Sequence, residues 1–259
     1  MIHCFVHQCK NGLNHLVHLS ESDEDKMIKL TVTGCGFSFV GTMLTLCLLC
    51  FLPVGSDGMF ILSNMSVSLL SAQIAFIGAE NSNPNGMVCK SSTAILHYLF
   101  LCLQFSSLRY ALHLIGKLKP HNLIDKSQKK FTIILFVWGL PFLVVAITAI
   151  LRGDTYGKDE LCWLSNEHGT RWAFLGPVVI IQIINWIVFI MMLITRMVVD
   201  LKKNGNFLLA AKKQVLTACS LIPVLGLTWS LGFSVTTGRS MILQYLFVFF
   251  TSTQAVPTN

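Results

Sequence analysis

Two kinds of side chain in the N-terminal tail could bind a metal ion. Cys4 and Cys9 stand there among several histidines, which are His3, His7, His15 and His18. Cysteine and histidine are the usual ligands of zinc, but the spacing here fits no closed four-ligand pattern well. We therefore expect no metal site, and Cys4 and Cys9 could instead pair with each other.

The sequence lacks the motifs and the buried acids that most catalytic mechanisms require. It contains no HExxH, GxSxG or GxxxxGK[ST] pattern, so metalloprotease, hydrolase and P-loop functions have no support. All 12 Asp and Glu residues lie in polar connectors, whereas a membrane aspartyl protease or a proton-driven carrier usually needs a buried carboxylate. We expect neither an enzyme nor a bound cofactor.

Seven apolar segments alternate with these connectors and make up most of the chain, which is 53% hydrophobic and 12% charged. Most of them can cross a bilayer, because a hydrocarbon core of about 30 Å needs about 20 helical residues. Backbone amides in lipid must find partners within the segment, which favours helices. The sequence predicts an all-α fold, a seven-transmembrane helix bundle at 29–256 between an extracellular stub at 1–28 and a tail at 257–259. We place the segments at 29–51, 59–79, 91–116, 131–151, 172–195, 214–236 and 241–256.

The formal net charge of +7 comes largely from two connectors. Loops rich in lysine and arginine face the cytoplasm, so both connectors should lie there and the N-terminus should lie outside. The charge therefore indicates orientation in a lipid bilayer, and we expect no nucleic-acid partner. The basic residues are Lys117, Lys119, Lys126, Lys129 and Lys130 in the first connector, and Arg196, Lys202, Lys203, Lys212 and Lys213 in the second.

Cys89 and Cys162 both fall on the outer side in this topology. Cys89 stands just before the third segment, and Cys162 lies in the loop between the fourth and fifth. That side is oxidising, so the two could form a disulfide that pins the loop over the mouth of the bundle.

Arg109 is the strongly basic residue well inside a segment, and two interpretations remain open for it. Its side chain could extend to the cytoplasmic interface, or it could form a functional ion pair. The second segment is unusually polar, which suits packing against neighbouring helices. Its polar residues are Asn64, Ser66, Ser68, Ser71 and Gln73.

Proline and glycine residues predict bends in three segments, at 138–141, at 176–177 and around Pro223 with Gly226 and Gly232. Trp229 lies beyond Pro223 in the outer half of the sixth segment. It could be a simple core residue, or a ligand in an outer cavity could move it.

A series of short motifs follows along residues 31–255. They are GCGFS at 34–38, Cys89 followed by LHY at 96–98, WGLP at 138–141, YG at 156–157 leading to CWLS at 162–165, WAFLGPV at 172–178 with Asn185, LGLTW at 225–229, and YLF at 245–247 with Gln254. Together and in this order they resemble the adhesion class of G-protein-coupled receptors, close relatives of the secretin-like receptors.

The resemblance implies a multi-pass receptor of the plasma membrane, opened by a tethered peptide agonist or another extracellular ligand. Opening of a kinked sixth helix would then admit a heterotrimeric G protein from the cytoplasm. In the family's pattern Cys89 and Cys162 match the loop disulfide, and Trp229 matches the switch of the sixth helix. We expect the ligand pocket to contain Trp163, Trp229, Phe174 and Phe233, and the hinge to lie at Pro223 and Gly226. The residues expected to face the G protein are Lys117, Lys119, Lys202 and Lys203.

The chain departs from the family pattern in several places. Val17 follows His15-Leu16 where the family has a hydroxyl residue, so self-cleavage at this site should fail. Ser106 and Tyr110 replace the family's tryptophan and glutamate in the third helix. The alternatives are therefore a non-signalling membrane scaffold, such as a truncated receptor isoform, and less favoured, a small-molecule transporter.

Overall fold

The computed structural model describes four long stretches of the chain and several shorter ones. They are residues 36, 39–49, 51, 56–80, 86–118, 126–158, 164, 169–204, 215, 218, 221–222 and 226. Helices dominate these residues, and two residues outside them, Tyr156 and Leu164, form an isolated antiparallel bridge. The all-α class predicted from the sequence is confirmed for this part of the chain.

The helices follow the predicted segments closely. Helix α1 covers Phe39–Leu49, α2 covers Asp57–Glu80 and α3 covers Met87–Leu118. Helix α4 (Lys126–Ile134), a π-helical turn (Leu135–Gly139) and α5 (Leu140–Arg152) form one continuous rod, and a short 3-10 turn at Gly153–Thr155 follows it. Helix α6 runs from Trp172 to Asn204 and so continues well beyond Thr195, the predicted end of its segment.

Four of these helices are long and apolar enough to cross a membrane, and they match the second to fifth segments. The first segment is represented by the shorter apolar helix α1. Residues 215, 218 and 221–222 of the sixth segment are helical, but most of that segment and all of the seventh lie outside the described residues. The number of membrane passes therefore rests on the sequence.

The side chains are distributed as lipid requires. On α6 a row of isoleucines, each between 52% and 62% exposed, faces outward: Ile180, Ile183, Ile187, Ile190 and Ile194. Polar side chains are buried instead, and Gln104, Ser107, Gln182 and Asn185 are at most 4% exposed. An apolar exterior around a polar interior is unfavourable in water and favourable in a bilayer, where polar groups pair between helices.

Helix α3 is the central helix of the described bundle. Within its candidate span 56% of the residues are buried, against 22%, 28% and 39% for the other three spans. It packs along α2 and also contacts α5, α6 and the π-helical turn. Side chains on α3 are therefore positioned to join the other helices to one another.

The π-helical turn explains the distortion that the sequence predicts at 138–141. Pro141 has no backbone N–H, so it cannot donate to the carbonyl four residues earlier in the rod. The N–H of Leu140 bonds to the carbonyl of Leu135, five residues earlier, which is the π-helical pattern. The turn shifts the helical register so that Trp138 is half-buried and Val137 fully buried.

Consecutive long helices run in opposite directions and define two ends. We call one the Cys89 end, with Cys89, Tyr156, Gly157 and Leu164, and the other the Asp57 end, with Asp57, His113, Lys130 and Arg196. Helix α3 ends, α4 begins and α6 ends at the Asp57 end. Both basic connectors therefore start on the same side of the bundle, as predicted.

Candidate functional site

The loop after α5 is fixed directly onto the start of α3. Gly157 has φ +69°, a conformation that side chains other than glycine rarely adopt. A Cβ atom at this position would lie 2.8 Å from the backbone N of Lys90 and 3.0 Å from the carbonyl carbon of Cys89. Only glycine lets the loop approach this closely, so the YG motif at 156–157 is a docking element.

Two further contacts involve Leu164, which follows the loop in the sequence. Tyr156 bridges to Leu164, and the Nε of Arg171 donates a 3.0 Å hydrogen bond to the carbonyl of Leu164. Tyr156 and Leu164 are only 3% and 0% exposed. Tyr156 and Leu164 are therefore both packed at the Cys89 end.

His97 joins the loop to the interior of α3. Its Nδ1 lies 3.0 Å from the hydroxyl of Tyr156, and its ring meets the edge of Phe174 at 5.9 Å between centroids. Burial raises the pKa of Tyr156 to about 12, although a hydrogen bond with the Thr148 side chain opposes the rise. The hydroxyl therefore stays protonated at neutral pH and keeps its hydrogen-bonding capacity.

Cys89 is fully buried beneath this loop, with its Sγ 3.3 Å from the carbonyl oxygen of Gly157. Cys162 lies outside the described residues, two positions before Leu164 in the sequence. The loop is thus held against Cys89, and the disulfide between Cys89 and Cys162 stays a prediction.

A second cluster lies in the middle of the bundle, between α2, α3 and the π-helical turn. The indole Nε1 of Trp138 donates to Oδ1 of Asn64 at 2.9 Å. The hydroxyl of Tyr98 donates to the backbone carbonyl of the same Trp138 at 3.2 Å. Asn64 also donates from Nδ2 to the carbonyl of Phe60 at 2.7 Å. The polar face of the second segment is used for helix packing, as predicted.

We call the contact between α3 and α6 the α3–α6 seam. His97, Phe100, Gln104, Ser107, Ala111 and Leu114 follow it along α3, and Phe174, Val178, Gln182, Asn185, Val188 and Met192 follow it along α6. Its middle is polar: Nε2 of Gln182 donates to Oε1 of Gln104 at 2.8 Å, and Nδ2 of Asn185 donates to Oγ of Ser107 at 3.0 Å. Such interhelical hydrogen bonds fix the register of helices in lipid.

Charged and aromatic groups meet at the Asp57 end. Arg109 is partly buried, and the charge of Asp57 at the start of α2 acts on it. The charge of Arg196 on α6 acts on Tyr110. Tyr110 packs against both apolar clusters of this half of the bundle. A charge interaction of this kind does not decide between an ion pair and a side chain that extends to the interface.

The sixth segment docks on the α3–α6 seam near the Asp57 end. Leu221 is 8% exposed and belongs to one apolar cluster with Ala111 and Leu114 of α3 and with residues of α6. Farther along the segment Gly226 is buried and has φ +65°, which a regular right-handed helix does not contain. The bend expected around Gly226 thus coincides with a left-handed residue.

Several residues predicted from the sequence lie outside the described positions. They are Cys162, Trp163, Lys119, Pro223, Trp229 and Phe233. Of the others, Phe174 is buried beside His97, Lys202 is exposed at the end of α6, and Lys117 and Lys203 belong to the last turns of α3 and α6. Among the described residues no group of three or more His, Cys, Asp and Glu side chains could hold a metal ion.

Sequence reasoning named Asn185 as part of a motif but missed Gln104, Ser107 and Gln182. Gln104 and Gln182 are separated by 78 positions, as are Ser107 and Asn185. The signal was present, because Gln104 and Ser107 are three residues apart on α3, and Gln182 and Asn185 are three residues apart on α6. That spacing places both polar residues on one face of each helix.

Comparison with known proteins agrees with this architecture. The family model described as 7 transmembrane receptor (Secretin family) matches residues 25–256. The chain therefore belongs to the secretin family of seven-transmembrane receptors, and the proteins it resembles are adhesion G-protein-coupled receptors. It is 27% identical over 251 residues to Adhesion G-protein coupled receptor D1 of Bos taurus, covering 92% of this chain and 27% of that protein.

Two other relatives give the same result. Adhesion G protein-coupled receptor E5 of Homo sapiens is 26% identical over 93% of this chain and 30% of its own length. Adhesion G protein-coupled receptor L1 of Bos taurus is 29% identical over 88% of this chain and 16% of its own length. The chain spans less than a third of the length of these relatives.

Proposed function

We propose that this chain transmits the binding of an extracellular or tethered peptide to a heterotrimeric G protein in the cytoplasm. The observation that carries the proposal is the continuity of the α3–α6 seam. His97 at the Cys89 end contacts the docked loop, and Leu221 at the other end of the same seam belongs to its apolar cluster. A ligand that shifts the loop or the seam can thereby change how the sixth segment packs.

The Cys89 end suits a peptide ligand, and in this proposal it lies outside the cell. Phe174 packs beside His97 at this end, and in this proposal Trp163, Trp229 and Phe233 join it to form an aromatic pocket. A disulfide between Cys89 and Cys162 would hold the loop that carries Trp163. Aromatic side chains bury large apolar areas and suit recognition of an apolar peptide.

The Asp57 end suits a cytoplasmic partner. Lys130, Arg196 and Lys202 are exposed there, and the predicted contact residues Lys117, Lys119 and Lys203 belong to the same connectors. Leu221 precedes Pro223 and Gly226 in the sequence. Movement of the sixth segment about these two residues would therefore displace the part that carries Leu221 and open this end. A ligand achieves this only by binding the open arrangement more tightly than the closed one.

Nucleotide exchange tests the proposal. The full chain is reconstituted in lipid nanodiscs with purified heterotrimeric G proteins, and short synthetic apolar peptides serve as probes. We expect at least one peptide to accelerate GTPγS binding to one G protein, and we expect Trp229→Ala to abolish the acceleration. Trp186→Ala is the matched control, because Trp186 faces outward on α6 and is 39% exposed.

Two outcomes would count against the proposal. Acceleration that persists unchanged in Trp229→Ala would remove Trp229 from the mechanism. The absence of exchange with every G protein and peptide, in a chain that is folded by thermal unfolding, would favour the non-signalling scaffold.

A further inference from the structure

Lys130 lies at the boundary between the polar start of α4 and its apolar, outward-facing part. Its side chain is exposed, and the candidate membrane span of the rod begins at this residue. The next residue, Phe131, is 69% exposed, and Ile134, one turn farther along the same face of α4, is 44% exposed. Exposed apolar side chains of a membrane helix contact lipid tails, so Lys130 stands where the lipid headgroups begin.

An aromatic ring of α2 positions the ammonium group of Lys130. Its Nζ lies 5.6 Å from the centroid of the Phe60 ring, within the range of a cation–π contact. Phe60 in turn packs against the apolar cluster of Ile61, Ile133 and Val137, which joins α2 to α4 and the π-helical turn. The positive charge therefore has a preferred position at the junction of α2 and α4.

The ammonium group keeps hydrogen-bonding capacity at this junction. It has three N–H donors, and among the described residues no acidic side chain forms an ion pair with Lys130. The surrounding sequence leaves the charge uncompensated, because residues 116–130 contain five lysines and one acid, Asp125. A cation with available donors thus lies directly beside a lipid-facing apolar surface.

We propose that the junction of α2 and α4 binds an anionic phospholipid of the leaflet at the Asp57 end. The oxygen atoms of the headgroup accept hydrogen bonds from Nζ of Lys130, and the acyl chains lie along Phe131 and Ile134. A negative headgroup complements the charge of this segment. A soluble anion makes only the polar contact, so the apolar neighbours of Lys130 favour a lipid.

The site is separate from the basic residues of α6 at the same end of the bundle. Helix α4 packs on α2 and on the π-helical turn, whereas α6 packs mainly on α3. Arg196 and Lys202 therefore belong to another part of this end. The proposal does not depend on G-protein coupling, so a lipid can bind here whether or not the chain signals.

Native mass spectrometry of the full chain in detergent micelles, titrated with lipid, tests the site. Phosphatidylserine is the probe, and phosphatidylcholine with the same acyl chains is its zwitterionic counterpart. We expect phosphatidylserine to bind more tightly. Lys130→Gln should raise its Kd about fivefold, which corresponds to the contribution of one lysine near an anionic membrane, and should leave the Kd of phosphatidylcholine unchanged.

Two variants separate the site from net charge. Lys130→Arg keeps the cation over the ring and should bind phosphatidylserine as the unchanged chain does. Lys202→Gln removes an exposed lysine of α6 at the same end and is the matched control. The Tm of each variant shows whether it is folded.

Three results would overturn the proposal. Equal affinity for the two lipids would exclude recognition of the anionic headgroup. Equal losses in Lys130→Gln and Lys202→Gln would mean that net charge alone attracts the lipid. Competition by soluble glycerophosphoserine at the concentration at which phosphatidylserine binds would show a site for free anions.

Discussion

The imidazole of His97 and the hydroxyl of Tyr156, 59 positions apart in the sequence, lie within hydrogen-bond distance at 3.0 Å. This contact joins the central helix of the bundle to the loop that covers one of its ends. It needs neither Cys89 nor Cys162, so it holds the loop independently of a disulfide. The loop and the helix should therefore respond to a ligand as one unit.

Tyr156→Phe tests this hydrogen bond with the least disturbance, because the ring and its packing remain. We expect a loss of about 1 kcal/mol in the free energy of unfolding, the usual net value of a neutral hydrogen bond. A double-mutant cycle with His97→Phe, measured by thermal unfolding, should show that the two losses are not additive. Fully additive losses would mean that the two side chains do not interact.

Gly157→Ala should displace the loop. The added Cβ would lie 2.8 Å from the backbone of Lys90, and φ +69° is strained for alanine. We expect a lower Tm and faster chemical labelling of loop residues. Gly153→Ala is the matched control in the same loop, since nothing lies within 4 Å of its Cβ position and its φ is −61°. Equal effects of the two substitutions would contradict the docking role of Gly157.

Asn64→Leu should leave the indole N–H of Trp138 without its acceptor. Interhelical hydrogen bonds in membranes average about 0.6 kcal/mol and reach about 2 kcal/mol, so we expect a loss in that range. Trp138→Phe removes the donor, and the double variant should be little worse than either single one. Ser91→Ala serves as the control, because Ser91 is exposed and bonds only within its own helix. An effect of Asn64→Leu equal to that of the control would exclude a stabilising role.

Leu221→Ala should loosen the sixth segment from the seam. Truncation of a buried leucine costs about 2–5 kcal/mol in soluble cores, and a cavity beside Ala111 and Leu114 would form here. We expect a lower Tm together with faster basal nucleotide exchange. Leu221 makes these contacts only in the closed arrangement, so the substitution destabilises the closed arrangement relative to the open one. Val215→Ala is the control, since Val215 is 64% exposed. If a destabilised Leu221→Ala variant shows slower or unchanged basal exchange, docking of the sixth segment does not control signalling.

The sequence predicts most of the helices because lipid imposes a simple length and polarity rule. The limits of α2 and α3 differ from the predicted ones by only a few residues, since charged and turn-forming residues end those segments. Helix α6 continues past Thr195 because helical backbone can extend from the membrane into the polar connector. Apolar periodicity marks where lipid contact ends, and the helix itself need not end there.

The candidate site was harder to predict for a physical reason. The YG motif at 156–157 points to a loop residue, but the φ of Gly157 and its approach to Lys90 depend on tertiary packing. Gln104 and Gln182 are 78 positions apart, so their pairing follows only from the register between α3 and α6. Spacing along one helix shows which face is polar, and it does not show what that face meets.

The most direct test concerns the two ends of the seam, which must face opposite sides of the plasma membrane if the chain carries a signal inward. An epitope is inserted either before residue 10 or at 205–206 in the connector after α6, and antibody binding is measured on intact and permeabilised cells. We expect the first epitope to be reached on intact cells and the second only after permeabilisation. Binding to the second epitope on intact cells would place the Asp57 end outside, where no G protein could contact it.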